Sequence, residues 1–408
     1  MSKIQKIFAR EILASDGYPT IEVKVQLNSG AIGIASVPYG VSAGSFEAKV
    51  LTDKDQKRYH GRGMLKAVAN VNSIITPALI GLESSNQRMI DKIMIDLDGT
   101  EDKSKLGGNT ILAVSLAVAK ATAEERKLPF YRYLTETFKT GVDFSIFPKP
   151  MAVVIEGGKH AHQTTDFQEY CLTALKDDSP QENIRRVLET YHELKKILQA
   201  NGFSTNVGNE GAFAPTGIDS NEAPIEYIIQ AIKKSGYQPG QDIGLSIDVA
   251  ADQLYKDGRY YLSLENKKLT AQELIDFYEN WFKKYPIISL EDGLEENDWQ
   301  NWTKLNQIAK KYKVEIIGDD LTVTNPKRLQ KAVEMKAISA IIIKPNQIGS
   351  LTETIDCCLL AKKNKIITIF SHRGGGETND TSIIDLAVAV GSAFVKVGPS
   401  RGERVVKY

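Results

Sequence analysis

The run VEIIGDDLTVTN, residues 314–325, reads as a buried strand that ends on two adjacent carboxylates, Asp319 and Asp320, before the chain turns polar. A buried carboxylate pair is costly unless a cation, hydrogen bonds or water compensates it. Other apolar runs also end on chemically useful side chains: IGLSID on Asp248, IISLE on Glu291, ISAIIIK on Lys344, ITIFSH on His372 and AFVK on Lys396. Polar residues collect at strand ends because solvent begins there, but acids, lysines and a histidine in register point beyond that. Asp248, Glu291 and Asp319 on neighbouring strand ends are expected to converge as oxygen ligands. A set with neither His nor Cys suits a hard cation, Mg²⁺ by default. Asp292 and Asp320, each next to a ligand, are expected to turn aside into supporting hydrogen bonds.

A lysine beside a divalent cation has its ammonium form disfavoured, which makes Lys344 the candidate base. The alternative is an ion pair with a ligand carboxylate. A metal that neutralises a substrate carboxylate makes the adjacent carbon acid accessible. Two further acids stand out: Glu169, at the end of the alternating stretch DFQEYC, and Glu210 in VGNEGAFAP, a loop marked by glycines and a proline. Two carboxyls in one cleft can share a proton, leaving one able to act as a general acid. Each alone also reads as a solvated loop acid.

The elements that must position these residues are legible in outline. TIEVKVQL, Thr20 to Leu27, alternates strictly, and Asn28-Ser29-Gly30 turns the chain into AIGIASVP, which predicts an antiparallel meander. Helical patterns follow, of which Ile111 to Lys127 is the most apolar, so the N-terminal part reads as an α+β domain. Beyond FKTGVDFSIFPKP, short apolar runs alternate with amphipathic helices, with a hairpin-like insertion at YKDGRYYLSLENKKLT. A sustained βα repeat implies a parallel sheet, and this many units favours a closed barrel over a doubly wound open sheet. In either, the carboxyl ends of the strands form the active face.

The chain has 408 residues with Lys+Arg balancing Asp+Glu at 51 each, enough for two domains and without the charge bias of a nucleic-acid or membrane binder. Cys171, Cys357 and Cys358 form no CxxC spacing and fit a reducing compartment. With no apolar run long enough for a span and no signal-peptide pattern at the N-terminus, the expected location is the cytoplasm.

The segments KIMIDLDGTEDKSKLGGNTILAVSLA, GGKHA, VGNEGAFAP, SLEDGLEENDW, GDDLTVTNP, IIKPNQIGSLTET and SHRGGGET together resemble the enolase (phosphopyruvate hydratase) family, from Arg10 onward. The resemblance implies an N-terminal α+β capping domain, residues 1–134, and an enolase-type modified TIM barrel, residues 140–408, whose first units run ββαα. It also implies dehydration of 2-phosphoglycerate to phosphoenolpyruvate with two Mg²⁺ per site. A lysine base paired with Mg²⁺ is already known for this superfamily. Carried over by position, Asp248, Glu291 and Asp319 match the first Mg²⁺ site, and Ser42 in YGVSAGSFEA matches a contact to the second. Lys344 matches the base at C2, and Glu210 the acid at the C3 hydroxyl with Glu169 beside it. His160, Gln168, His372, Arg373 and Lys396 match substrate-binding positions, and guanidinium suits Arg373 to a phosphate.

The departures are as specific. After Arg373 the family usually has a serine and then one glycine; here Gly374 replaces the serine and an extra glycine follows, leaving backbone N–H groups to bind the anion. YGVSAG stands for the usual SGASTG, Glu156 for an asparagine, and ASDGYPT for DSRGNPT. The sequence ends at RVVKY without the family's C-terminal helical tail. A homodimer or higher homo-oligomer is expected. The alternatives are an enolase-like paralogue acting on a related carboxylate or phosphonate, and a surface-binding protein with host-protein partners, found also at the cell surface or secreted by a non-classical route.

Overall fold

A computed structural model describes residues 2–40, 44–145 and 147–408. The first part is the expected meander: β1 (Ile4–Leu13), β2 (Pro19–Leu27) and β3 (Ile32–Ser36), antiparallel in that order. Ile21, Val23, Val25 and Leu27 are all fully buried, as their alternation requires. They pack on a helical layer that includes α1 (Gln87–Asp98), α2 (Gly108–Glu125) and α3 (Phe130–Phe138). The apolar helix read from the sequence is α2, buried on nearly every side between the sheet and its neighbours. Its approach to β3 is so close that a Cβ on Gly33 would lie 2.0 Å from the Ala117 carbonyl oxygen. Only glycine fits there.

The second part is a closed barrel, not an open sheet. Its strands are β4 (Lys149–Glu156), β5 (Glu169–Ala174), β6 (Ile243–Asp248), β7 (Ile287–Glu291), β8 (Glu315–Gly318), β9 (Ala340–Ile343), β10 (Ile367–Ser371) and β11 (Phe394–Lys396), joined in sequence order with β11 returning to β4. Every pairing is parallel except those of β5, which runs antiparallel to both β4 and β6. Two helices, α4 (Pro180–Ala200) and α5 (Ala223–Lys234), then precede β6, so the barrel opens ββαα. From β6 onward strands and helices alternate. The insertion at residues 255–269 is a small three-stranded sheet.

The helix starts are written locally. Ser179 caps α4 through the Glu182 N–H, and Thr270 forms a reciprocal capping box with Glu273 at the head of the helix Ala271–Lys284. Inside the barrel Met151, Val153, Cys171, Ile317, Ala340, Ile342 and Ile369 form an apolar plug separate from the larger core between barrel and helices. No helix among the described residues is long and apolar enough to cross a membrane.

Candidate active site

Side chains alternate along a strand, so the residues that end these strands share a face with those that fill the barrel. Asp319 continues the row of Ile317, Lys344 that of Ile342, and Glu169 that of Cys171, all three members of the plug. Asp248 and Glu291 continue the rows of Ser246 and Ser289, whose hydroxyls hydrogen-bond each other at 2.7 Å. The candidate groups are therefore the top layer of the barrel interior. Glu169 is the first residue of its strand, not the last, which corrects the sequence reading. Because β5 is reversed, its beginning lies at this face, paired with Asp248 on one side and Glu156 on the other.

Lys396 gathers three of the acids. Its Nζ lies 2.7 Å from Glu169 Oε2, 2.7 Å from Glu291 Oε2 and 3.1 Å from Asp248 Oδ2. Lys344 Nζ donates to Asp319 Oδ2, while Asp319 Oδ1 accepts from Gln347 Nε2 at 2.7 Å. The ligand trio is thus split between two ammonium groups. The closest acid groups able to hold an ion among the described residues are Asp292–Asp319–Asp320 and His160–Glu169–Glu210. Asp292 is already committed, since its two oxygens accept the N–H groups of Asp319 at 2.9 Å and Asp320 at 2.8 Å. That is the supporting role expected for it.

The donor set nevertheless fits a hard cation. Glu291 is held well above the usual carboxylate range by burial and then by Asp248, and its Oε1 is buried without a hydrogen-bond partner among the described residues. An all-carboxylate cluster with an orphaned oxygen is what a divalent ion satisfies. The lowering expected for Lys344 belongs to a lysine beside a divalent cation; beside Asp319 alone the balance differs. Burial is the strongest influence and lowers its pKa, but the carboxylates of Asp319 and Glu291 together bring the net direction upward. The ion pair with a ligand carboxylate, the alternative reading, is what these side chains form.

The opposite wall carries the acid groups. Glu210 Oε2 lies 3.1 Å from His372 Nε2, and Glu210 Oε1 lies 3.6 Å from His160 Nδ1, which is itself 3.4 Å from Glu169 Oε1. Arg404 Nε donates to His372 Nδ1 at 3.1 Å. With Nδ1 accepting, the imidazole proton sits on Nε2 and is donated to Glu210. Burial lowers the His372 pKa, in keeping with a neutral ring. His160 goes the other way: burial alone would lower it, but Glu169, Glu210 and Glu156 raise it to about 9, so it is cationic at neutral pH.

The shared proton does not rest on the expected pair. Burial would raise Glu210, but His372, His160 and Arg404 bring it well below the usual value. Burial and Glu210 would raise Glu169, yet Lys396 and His160 lower it overall. The raised carboxyl is Glu156, pushed up to about 8 by burial and then by Glu210. Glu156 is fully buried, and it accepts the N–H of Glu210 at 3.1 Å and that of Ala212 at 2.9 Å. The glycine at 208 permits this, since a Cβ there would lie 2.5 Å from Glu156 Cδ. The strand-end rule that singled out Asp248 applies equally to MAVVIE. Glu156→Ala would leave two loop N–H groups unpaired and is expected to lower kcat about 10- to 100-fold, with Glu156→Gln milder, in steady-state assays.

The remaining predicted residues reach the same place. Gln168 is buried and its Oε1 accepts from Gln253 Nε2 at 2.7 Å. Arg373 Nη1 donates to Glu47 Oε2 at 2.9 Å, and Gly374 lies against Glu210 and His160. Together with Lys344, Lys396, Asp248 and Asp319 they line one cavity. Ser42 lies outside the described residues. Arg404, which follows the last strand, carried no signal in the sequence.

A neighbouring acid gives a pH prediction. Asp252 Oδ1 accepts from Glu296 N at 3.0 Å while Oδ2 is buried without a partner among the described residues, and burial, only partly offset by that hydrogen bond, raises its pKa to about 7. Its ordinary value is about 4. The folded chain therefore binds this proton more tightly than the unfolded one, and the stability it contributes below pH 4 is lost as the pH rises to 7. Asp252→Asn is expected to stabilise by on the order of 2 kcal/mol at pH 8 and not at pH 4, read by urea unfolding.

These features fall within two family descriptions that between them span most of the chain: "Enolase, N-terminal domain" matches residues 4–134 and "Enolase, C-terminal TIM barrel domain" matches residues 144–408. With the reversed second strand, the closed barrel and the carboxylate-rich top layer in place, the chain belongs to the enolase family.

Proposed function

We propose that the protein is a Mg²⁺-dependent hydro-lyase, a phosphopyruvate hydratase that interconverts 2-phosphoglycerate and phosphoenolpyruvate in glycolysis and gluconeogenesis, in the cytoplasm. The observation that carries this reading is the disposition of base and acid. Lys344 follows β9 and Glu169 opens β5, strands on opposite sides of the eight-stranded ring, and both residues line the cavity with Glu210. Removal of a proton from one carbon and departure of hydroxide from the next call for groups on opposite walls.

Lys344 takes the C2 proton as the neutral amine, the form favoured when a bound cation rather than the ammonium would compensate Asp319; the electron pair forms the C2–C3 double bond; the C3 hydroxyl leaves and is protonated to water. Glu210 is ionised among its neighbours, so its acid role draws on the proton of the His160 imidazolium beside it. Arg373 and the glycine turn that follows hold the phosphate, while Gln168 and Lys396 border the substrate. Asp248, Glu291 and Asp319 would hold one Mg²⁺ and Ser42 is assigned to a second; when bound, the cation supplies positive charge at the substrate carboxylate, where negative charge builds as the proton leaves. Absorbance near 240 nm, reporting enol formation from 2-phosphoglycerate, should rise with Mg²⁺ and not without it. No turnover by folded protein in Mg²⁺ would overturn the assignment.

Gly374 favours one second reading, a paralogue acting on a related carboxylate or phosphonate. A Cβ at this position would lie 2.5 Å from Glu210 Oε1, so a serine here would have to displace the Glu210 carboxylate, and Gly374 offers the anion only its backbone. A substrate panel separates the two by kcat/KM. Phe8 and Ile34 lie exposed in one cross-strand row of the meander, which supports the proposed homodimer. Sedimentation of a Phe8→Asp variant tests it.

A further inference from the structure

Asp16, Tyr39 and Gly376, three separate departures in the sequence, are one contact in space. Tyr39–Gly40 pairs antiparallel with Gly375–Gly376, Tyr39 opposite Gly376 and Gly40 opposite Gly375. The Tyr39 ring lies flat against the turn: a Cβ on Gly376 would sit 2.5 Å from its Cε2. The ring is 8% exposed, and its hydroxyl donates to Asp16 Oδ1 at 2.7 Å. That carboxylate oxygen also accepts the Tyr18 N–H at 3.1 Å, which fixes Asp16 within its own turn. Ser15, next in the chain, donates its hydroxyl to the Gly375 carbonyl and accepts the Glu377 N–H at 3.1 Å.

On its other side the same turn meets the acid wall. A Cβ on Gly374 would lie 2.5 Å from Glu210 Oε1 and 2.9 Å from His160 Cε1, and Gly375 has φ +102°, where L side chains are strained. The turn is thus threaded between an aromatic ring and a carboxylate–imidazolium pair, and each of its three glycines is hemmed in for a different reason. Left alone, three consecutive glycines would be the least ordered anion-binding turn the chain could offer, because glycine loses the most freedom on being fixed.

We propose that Tyr39, braced by Asp16, is a positioning residue that presses the Gly374–Gly376 turn into a fixed anion-binding conformation beside Arg373. This rests on the reading of that turn as the phosphate contact. Order supplied from outside the turn replaces order that a side-chain hydroxyl within it would supply, and the cost of fixing the backbone is met in the protein before ligand arrives. Neither residue lines the cavity that holds Lys344 and Glu210, so their effect falls on affinity rather than on the chemical step.

Calorimetric titration with inorganic phosphate, alongside steady-state kinetics with 2-phosphoglycerate, tests this. In Tyr39→Phe, which keeps the ring and loses only the hydroxyl, the phosphate Kd should rise about three- to tenfold, the loss of one hydrogen bond. KM should follow with kcat within about twofold, and the double variant Tyr39→Phe/Asp16→Asn should bind no more weakly than Tyr39→Phe alone, because both remove the same link. Gly376→Ala, which drives a methyl into the ring, should weaken phosphate further. Unchanged phosphate affinity in Tyr39→Phe, additive losses in the double variant, or no phosphate binding by the wild type at millimolar concentration would each overturn the proposal. The two readings fail separately. Phosphate binding sensitive to Tyr39 without turnover of 2-phosphoglycerate refutes the assigned reaction and leaves the brace standing. Turnover with phosphate affinity indifferent to Tyr39 refutes the brace alone.

Discussion

Replacing Lys344 by alanine is expected to slow exchange of the C2 proton of 2-phosphoglycerate with solvent by about 10²- to 10⁴-fold, the contribution of a positioned base, while cation binding persists. The geometry gives the reason for both halves. Lys344 Nζ donates to Asp319 Oδ2, so the ammonium competes with any cation for that oxygen. Its removal leaves Asp319 ionised and still held by Gln347 at 2.7 Å. Cation affinity should therefore be equal or tighter in the variant. Proton exchange is followed by NMR in deuterated buffer and Mg²⁺ binding by calorimetry. Exchange at the wild-type rate would move the base elsewhere, and joint loss of exchange and binding would make Lys344 a structural partner of Asp319 only.

Much of this arrangement was legible because two rules of different range agree. The period-2 alternation of a strand and the βα spacing together put Asp248, Glu291, Asp319, Lys344 and Lys396 in one layer, and the barrel does so. The reversal of β5 was not written in its own residues: EYCLTA reads the same in either direction, and only its neighbours set its polarity. That is why Glu169 was placed at the wrong end of its strand yet at the right end of the barrel. Glu156 was visible as a strand-end acid, but its role lies in two backbone N–H groups contributed by a loop more than fifty residues away. Sequence spacing carries no trace of such contacts. Protonation states were the least legible, since they depend on net field: Lys344 is raised by the very carboxylate that was expected to share a cation with it, and the raised acid is Glu156 where Glu210 or Glu169 was expected.

The largest stability effect should come from Lys396. Its ammonium contacts Glu169, Asp248 and Glu291, all buried, and it is the shared positive charge of that cluster. Lys396→Met keeps the length of the side chain and removes the charge, leaving buried carboxylates uncompensated, a change that costs about 3–5 kcal/mol. The sign of its pH dependence is fixed. Without Lys396 the larger of the two charges that lower Glu169 is gone, leaving only His160, and burial already raises Asp248 and Glu291. Acids raised in the folded state contribute stability below their unfolded pKa and lose it as the pH rises. The gap between variant and wild type should thus be widest at pH 7 and narrow toward pH 5. Millimolar Mg²⁺ should stabilise the variant more than the wild type, because in the variant a bound cation replaces the positive charge that Lys396 gave to Asp248 and Glu291, and binding to the folded state alone raises stability by mass action. Urea unfolding at both pH values, with and without Mg²⁺, reads all three effects. A variant as stable as wild type at pH 7 without Mg²⁺ would show that the acids are compensated by something other than Lys396. A variant that Mg²⁺ does not rescue would remove the carboxylates around it from the cation site.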